Sequence, residues 1–351
     1  VKYEVNVNTP NSNSTFGLFV GVDIAARSFS VALLLPTKPP QKALDYPQSA
    51  QGYASFLQHL QHTHSNPSQI RVVMEATGTY WVTLATVLHQ AGMVVCPVNP
   101  KQAHHFFQAL PRRAKNDQLD AQGLAQLAQA LEPISWNPPP EIYYQLQQRL
   151  AQRQSLLDLR QQVKNQLHSL SALPMQVPEV VGRMQALIVT FEHQLSQVQK
   201  EVEELVEQEG EWQKSIVLLT SIPGFGLLTA CLVVVYTLNF GLCNSVEAAT
   251  HYAGLAPMER TSGTSVSGRS QLGHFGHTRL RTTLYLASLS AGQHNPVVKV
   301  FYERLKQAGK PAKVARCAAA RKLLHLAYGV VKSGKVFDPE YTTNSRAVKA
   351  A

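Results

Sequence analysis

The sequence predicts a mixed α/β domain, then a helical coiled-coil middle, then a basic and mainly helical region. Three observations carry this. Apolar strand-like runs alternate with helically spaced stretches up to about residue 137. Three prolines at 138–140 stop any regular element. Beyond them apolar residues recur at helical spacing, in a chain whose later part is strongly basic.

Taken in order, residues 1–16 are polar and Asn/Ser-rich and read as a loose tail without a signal-peptide pattern. "GLFVGVDIA" and "SFSVALLLP" read as two strands joined by a short turn, and "SAQGYASFLQHLQHT" as a helix. "IRVVME" is a buried strand ending at Glu75. Helix "WVTLATVLHQAG", strand "MVVCPVNP" and a helix opening near Asn116 complete a domain over 17–137. Residues 141–215 form a helical coiled-coil spacer with breaks around "LPMQVPEV". In its second helix Ile188, Phe191, Leu195, Val198, Val202 and Leu205 make a 3-4 seam. That seam suits an antiparallel hairpin within the chain or a coiled coil between chains equally well. Residues 216–338 form the third region, and 339–351 a second tail.

A chain of 351 residues exceeds one ordinary core, and its hydrophobic fraction of 44% supports packed domains. "LLTACLVVVYTL" is too short to span a membrane, so no membrane partner is expected. Cys96, Cys231, Cys243 and Cys317 are scattered, which suits buried reduced thiols in a cytoplasmic protein. The net charge of +10 is uneven: residues 260–335 hold 14 Lys/Arg against one acid, Glu303. A tract of that kind points to a polyanion, most simply nucleic acid.

Four carboxylates stand out by placement. Asp23 interrupts an apolar strand, where an unpaired charge is costly. Glu75 ends another, and Asp117 and Asp120 lie three apart at a helix start. Taken singly, Asp117 could be a cap, Asp120 a surface charge and Glu75 a strand-end charge. Gathered together they would repel unless a cation neutralised them, and oxygen-only ligands favour Mg²⁺ or Mn²⁺. Arg112, Arg113 and Lys115 would then meet phosphates. In "SIPGFG", Gly224 and Gly226 can present N–H groups to a phosphate at the next helix, or simply connect two helices.

"GVDIAARSFSVALL", "MEATGTYW", "VNPKQ", "RRAKNDQLDAQGLA", "SIPGFG", "YAGLAPMERTSGTSVSGRSQLGHFGHTRLRTTLY" and "KLLHLAYGVVKSGKVFD" follow one another in unbroken order over 17–338. Together they resemble the DEDD transposases of one class of bacterial insertion sequences, relatives of the Piv and MooV DNA invertases. The resemblance implies a RuvC-like domain of ribonuclease H fold, with Asp23, Glu75, Asp117 and Asp120 as its metal-binding acids. It implies a coiled-coil middle and a transposase domain with a nucleophilic serine at Ser262. Ser265 and Ser267 stay open by chemistry alone.

A phosphoserine link to DNA, double-stranded donor and target DNA, a guide (bridge) RNA and a homo-oligomer, dimer or tetramer, complete the implied picture. The setting would be the bacterial cytoplasm, at the nucleoid. Arg269, Arg279 and Arg281 would contact phosphates beside the scissile bond. Without the resemblance, Ser262 reads as a turn residue. Tyr285 is a rival nucleophile in a helical run, and His274 and His277 lack companions for zinc. Two rival functions are a RuvC-like metal-dependent nuclease using water and a non-catalytic nucleic-acid-binding protein.

Overall fold

Five of the apolar runs pair into one sheet: β1 (Leu18–Ile24), β2 (Ser28–Leu34), β3 (Leu44–Pro47), β4 (Ile70–Glu75) and β5 (Val94–Val98). The order is β3-β2-β1-β4-β5, antiparallel from β3 to β1 and parallel from β1 to β5. Four helices accompany it: α1 (Ala50–Thr63), α2 (Trp81–Gln90), α3 (Pro100–Ala109) and α4 (Asp117–Ala130). The computed structural model describes residues 16–109, 116–262, 266–273 and 275–341, with side chains set aside at 258–271. Residues 1–15 of the first tail, Arg112, Arg113, Lys115, Ser265 and His274 lie outside the described residues, as does the second tail from 342. The chain divides into two units, Val1–Pro138 and Pro139–Ala351.

Strand parity assigns the two faces of the sheet. Leu18, Val20, Val22 and Phe29 point to the face covered by Phe56 and Leu60 of α1 and by Leu84 and Leu88 of α2. Phe19, Ala32, Leu34, Val73 and Cys96 point to the other, against Ala121, Leu124, Ala125 and Ala128 of α4. This is the ribonuclease H-like, RuvC-like architecture that the motifs imply. Two elements escape the sequence pattern: the short exposed strand β3, and α3, which follows Val98 without a break in polarity.

Gly21 decides how closely α4 lies on β1. A Cβ there would sit 2.0 Å from the Ala121 carbonyl oxygen and 2.2 Å from the Ala125 nitrogen. Farther along the same face, Arg71 donates to the Ala128 carbonyl at 3.3 Å, and its guanidinium lies 4.0 Å from the Phe16 ring centroid. A buried cation at the C-terminal end of α4 suits the helix dipole.

The second unit is largely helical: α5 (Glu141–Ser171), α6 (Pro178–Glu207), α7 (Glu211–Thr220), α8 (Leu227–Thr237), α9 (Val246–Tyr252), α10 (Thr278–His294), α11 (Pro296–Gln307) and α12 (Ala312–Ser333). The heptad seam packs within the chain, as an α5–α6 hairpin. Val198, Val202 and Leu205 are buried, and Arg149–Glu201 at 2.8 Å and Lys164–Glu192 at 3.3 Å bridge the two helices. Leu146, Leu150, Val202 and Leu205 join the core that holds Trp212, Phe240, Leu284 and Leu323. Cys96, Cys231 and Cys243 are buried free thiols, while Cys317 is half-buried.

One departure matters for function. Residues expected as a loop in a helical region form the antiparallel strands β6 (Pro257–Ser262) and β7 (Val266–Leu272). Their sequences, "PMERTS" and "VSGRSQL", carry too little apolar alternation to signal a strand.

Replacing Gly21 by Val drives a branched side chain into helix backbone, which has no room to yield. The variant is expected to lose about 3 kcal/mol, the upper end for overpacking. Urea unfolding followed by tryptophan fluorescence measures this, and an unchanged midpoint would rule out the close packing.

Candidate active site

Parallel pairing of β1 and β4 sets Val22 beside Met74, so Asp23 and Glu75 follow side by side at the strands' C-terminal ends. Both share parity with Gly21 and Val73, and hence the α4 face. Asn116 caps α4 by accepting the Leu119 N–H at 2.8 Å, which leaves Asp117 as the first helical residue rather than the cap. Asp117 and Asp120 lie in the first turn, where the helix dipole favours negative charge. Because Ala121 abuts Gly21, that turn comes down toward Asp23.

The electrostatics register the convergence. Burial, and then the negative charges of Asp117, Asp120 and Glu75, push the Asp23 carboxyl up from 3.8 to about 6, against a smaller opposing effect of the Ile24 backbone. Glu75 accepts the Thr77 hydroxyl at 2.8 Å. Sequence reading missed two further polar groups on this row. Ser30 pairs with Asp23 across β1–β2, Asp45 pairs with Ser30 across β2–β3, and the Ser30 hydroxyl donates to Asp45 at 2.5 Å. Only the pairing register reveals them.

Four carboxylates are a hard, oxygen-only donor set, and that chemistry fits Mg²⁺ or Mn²⁺. Among the described residues, no three His, Cys, Asp or Glu side chains are gathered tightly enough to be a closed metal site.

In the second unit Ser262 is the last residue of β6, paired with Val266, at the far end of the hairpin; Ser267 lies opposite Thr261. Arg269 is on β7. Gly226 opens α8 with open space at its Cβ position, and no side chain caps that helix. Gly224 has φ +104 and packs on Ala291, 2.5 Å from a would-be Cβ, so close packing explains it. Arg279 is exposed and hydrogen-bonds Tyr236. The Arg281 Nη1 atom donates to two backbone carbonyls, those of Phe275 and Gly254. Tyr285 is half-buried on α10. His277 caps α10, its Nδ1 accepting the Leu280 N–H at 3.0 Å. Burial and the Arg279 charge hold this imidazole below its ordinary range, which keeps that lone pair available. Among the described residues, no helix is long and apolar enough to cross a membrane.

An acid-bearing ribonuclease H-like unit followed by a basic helical unit defines a class, the enzymes that act on the nucleic-acid backbone. Comparison with known proteins narrows it. A family model for DEDD transposases of IS110 type matches residues 20–173, and one described as "Transposase IS116/IS110/IS902 family" matches 217–303. The chain is similar to the pilin gene-inverting proteins of Moraxella lacunata and Moraxella bovis. Each is 29% identical, over 322 and 325 residues, covering 91% of this chain and 97% of the relative. An IS900 protein of Mycobacterium paratuberculosis is 24% identical over 183 residues, 52% of this chain and 45% of that protein. The chain belongs to the IS110 family of transposases, enzymes related to the pilin gene-inverting recombinases.

The raised Asp23 pKa has a consequence for stability. A carboxyl whose folded pKa lies above its unfolded value costs stability as pH climbs from 3.8 through about 6. Asp23→Asn in EDTA is therefore expected to be more stable at pH 7.5 by about 1–2 kcal/mol, discounted for solvent screening. The gain should shrink as pH falls toward 4. Urea titrations across that range check it, and a pH-independent difference would mean that neither burial nor the neighbouring carboxylates raise Asp23.

Proposed function

We propose that this chain is an insertion-sequence transposase that works as a site-specific DNA recombinase, cutting strands through Ser262 with Mg²⁺ held by Asp23, Glu75, Asp117 and Asp120. The observation that carries this reading is Asp23, made costly by burial and by three converging carboxylates in a chain of this family. The basic excess of residues 260–335 around a serine-bearing hairpin supports it. The labour divides as the motifs do: acids in 17–137, a spacer in 141–215, and the nucleophile with the basic surface in 216–338.

The Ser262 hydroxyl attacks a backbone phosphorus, forming one O–P bond as the bond to a deoxyribose oxygen breaks. Its proton passes to a base, and the leaving sugar oxygen takes up a proton. One phosphodiester is exchanged for another, so rejoining needs no ATP, and the sequence has no P-loop. When bound, Mg²⁺ at the four acids would supply charge stabilisation for the phosphoryl transition state. Arg112, Arg113, Lys115, Arg269, Arg279 and the N–H groups at Gly226 are proposed to hold phosphates on either side.

Double-stranded DNA, donor and target, is the substrate. An element-encoded bridge RNA chooses the sites, a homo-oligomer brings the two units to one phosphate, and the work is done in the bacterial cytoplasm. The pilin gene-inverting relatives supply one further link: inverting a gene and moving an element need the same strand chemistry.

A water-using nuclease is the competing reading. In the proposed enzyme Ser262→Ala abolishes denaturant-resistant protein–DNA adducts and recombination, whereas Asp23→Ala keeps DNA binding and loses about 10³-fold or more in rate. Gel assays on a labelled element end distinguish the cases. Strand cutting that survives in Ser262→Ala would establish the nuclease instead.

A further inference from the structure

The β6–β7 hairpin leaves and re-enters the helical core through one narrow neck. Its outgoing root follows α9 at Gly254, and its returning root passes Phe275 and Gly276 into α10. The two backbones cross in contact. A Cβ on Gly254 would lie 2.3 Å from the Phe275 carbonyl oxygen, and one on Gly276 would lie 2.5 Å from the Gly254 nitrogen. Both glycines take left-handed φ, +68 and +91, so a side chain is excluded twice over.

Arg281 closes the crossing from the first turns of α10. Its Nη1 donates to the Phe275 carbonyl at 3.0 Å and to the Gly254 carbonyl at 3.4 Å, one from each root. Next to it the His277 N–H donates to the Tyr252 carbonyl at 2.7 Å. The His277 ring centroid lies 4.5 Å from that of Tyr236 and 5.8 Å from that of Tyr252. The Tyr252 hydroxyl donates to the Tyr236 carbonyl at 2.9 Å, which ties α8, α9 and α10 together below the neck.

We infer that Arg281 and the Gly254–Gly276 crossing form a clamp that aims the hairpin, making Arg281 a positioning residue for Ser262 rather than a phosphate contact. This rests on the reading of Ser262 as the nucleophile. The physical need is clear. A two-stranded hairpin is marginal by itself, and the sequence of this one holds few apolar residues. At about 3.3 Å per residue, Ser262 stands roughly 20 Å beyond the neck. A tilt of a few degrees at the root then moves the tip by about 1 Å, and a misplacement of that size costs about 100-fold in rate. Both bonds leave one guanidinium nitrogen, Nη1, whose two N–H directions are fixed by the plane of the group. A lysine ammonium on its flexible stem carries the charge without that fixed geometry.

The test compares full-length wild type, Arg281→Met, Arg281→Lys and Gly276→Ala, with Ser262→Ala as control. Three readouts are taken: DNA affinity against salt, the single-turnover rate of adduct formation at saturating DNA, and amide exchange. The clamp predicts a rate lowered about 100-fold in Arg281→Met, with affinity and salt slope unchanged. It predicts faster exchange across 257–272 with α10 and α12 unaltered, and the same pattern in Arg281→Lys, which keeps the charge. Gly276→Ala should agree, since it breaks the crossing without touching the arginine.

A salt slope reduced by about 1 with an unchanged saturating rate would make Arg281 a phosphate contact and overturn the clamp. Unchanged hairpin exchange in Arg281→Lys would overturn it as well, and that readout needs no catalysis. Adducts persisting in Ser262→Ala would remove the nucleophile reading alone, leaving exchange to decide the clamp.

Discussion

The approach of α4 to β1 at Gly21 is the constraint on which the acidic site depends. With 2.0 Å between a would-be Cβ and the Ala121 carbonyl, only glycine lets the helix lie so close. That contact brings the first turn of α4, with Asp117 and Asp120, down to the strand end that bears Asp23. Glu75 arrives from the other side because β1 and β4 are parallel and in register. The fold thus holds four like charges together against their repulsion. Burial and that repulsion together raise Asp23 to about 6, and a hard cation would relieve both.

The second unit solves a different problem. A nucleophile that must reach into a polyanion sits well at the end of a polar arm, but an arm is mobile unless its root is fixed. Two left-handed glycines allow the strand roots to touch, and Arg281 and His277 bind them to the helices beneath. The helical core around Phe240, Leu284 and Leu323 is the base from which the hairpin extends.

Much of the first unit was legible because its signals are local. Asp23 stands out as a charge in an apolar strand, and three prolines mark the end of the domain. The parallel pairing that brings Glu75 beside it follows from alternating strands and helices. Gly21 was not legible, since a glycine in a strand reads equally as a bulge, and only the helix above shows its purpose. Ser30 and Asp45 were hidden for a related reason: their meaning lies in cross-strand register, which no short motif encodes. In the second unit the hairpin was missed because its strands are polar. Arg281 looked like any cation in a basic tract, and its partners are carbonyls 6 and 27 residues away.

The central claim is that metal at the four carboxylates and the Ser262 hydroxyl act on the same phosphate. Sulfur substitution at the scissile phosphate tests it most directly. Duplexes with one non-bridging oxygen replaced, as separate diastereomers, would be assayed for serine-linked product in Mg²⁺ and in Mn²⁺. The account predicts that one diastereomer is poorly joined to the protein in Mg²⁺ and recovers in the more thiophilic Mn²⁺. Equal adduct formation by both diastereomers in Mg²⁺, with no gain from Mn²⁺, would contradict it.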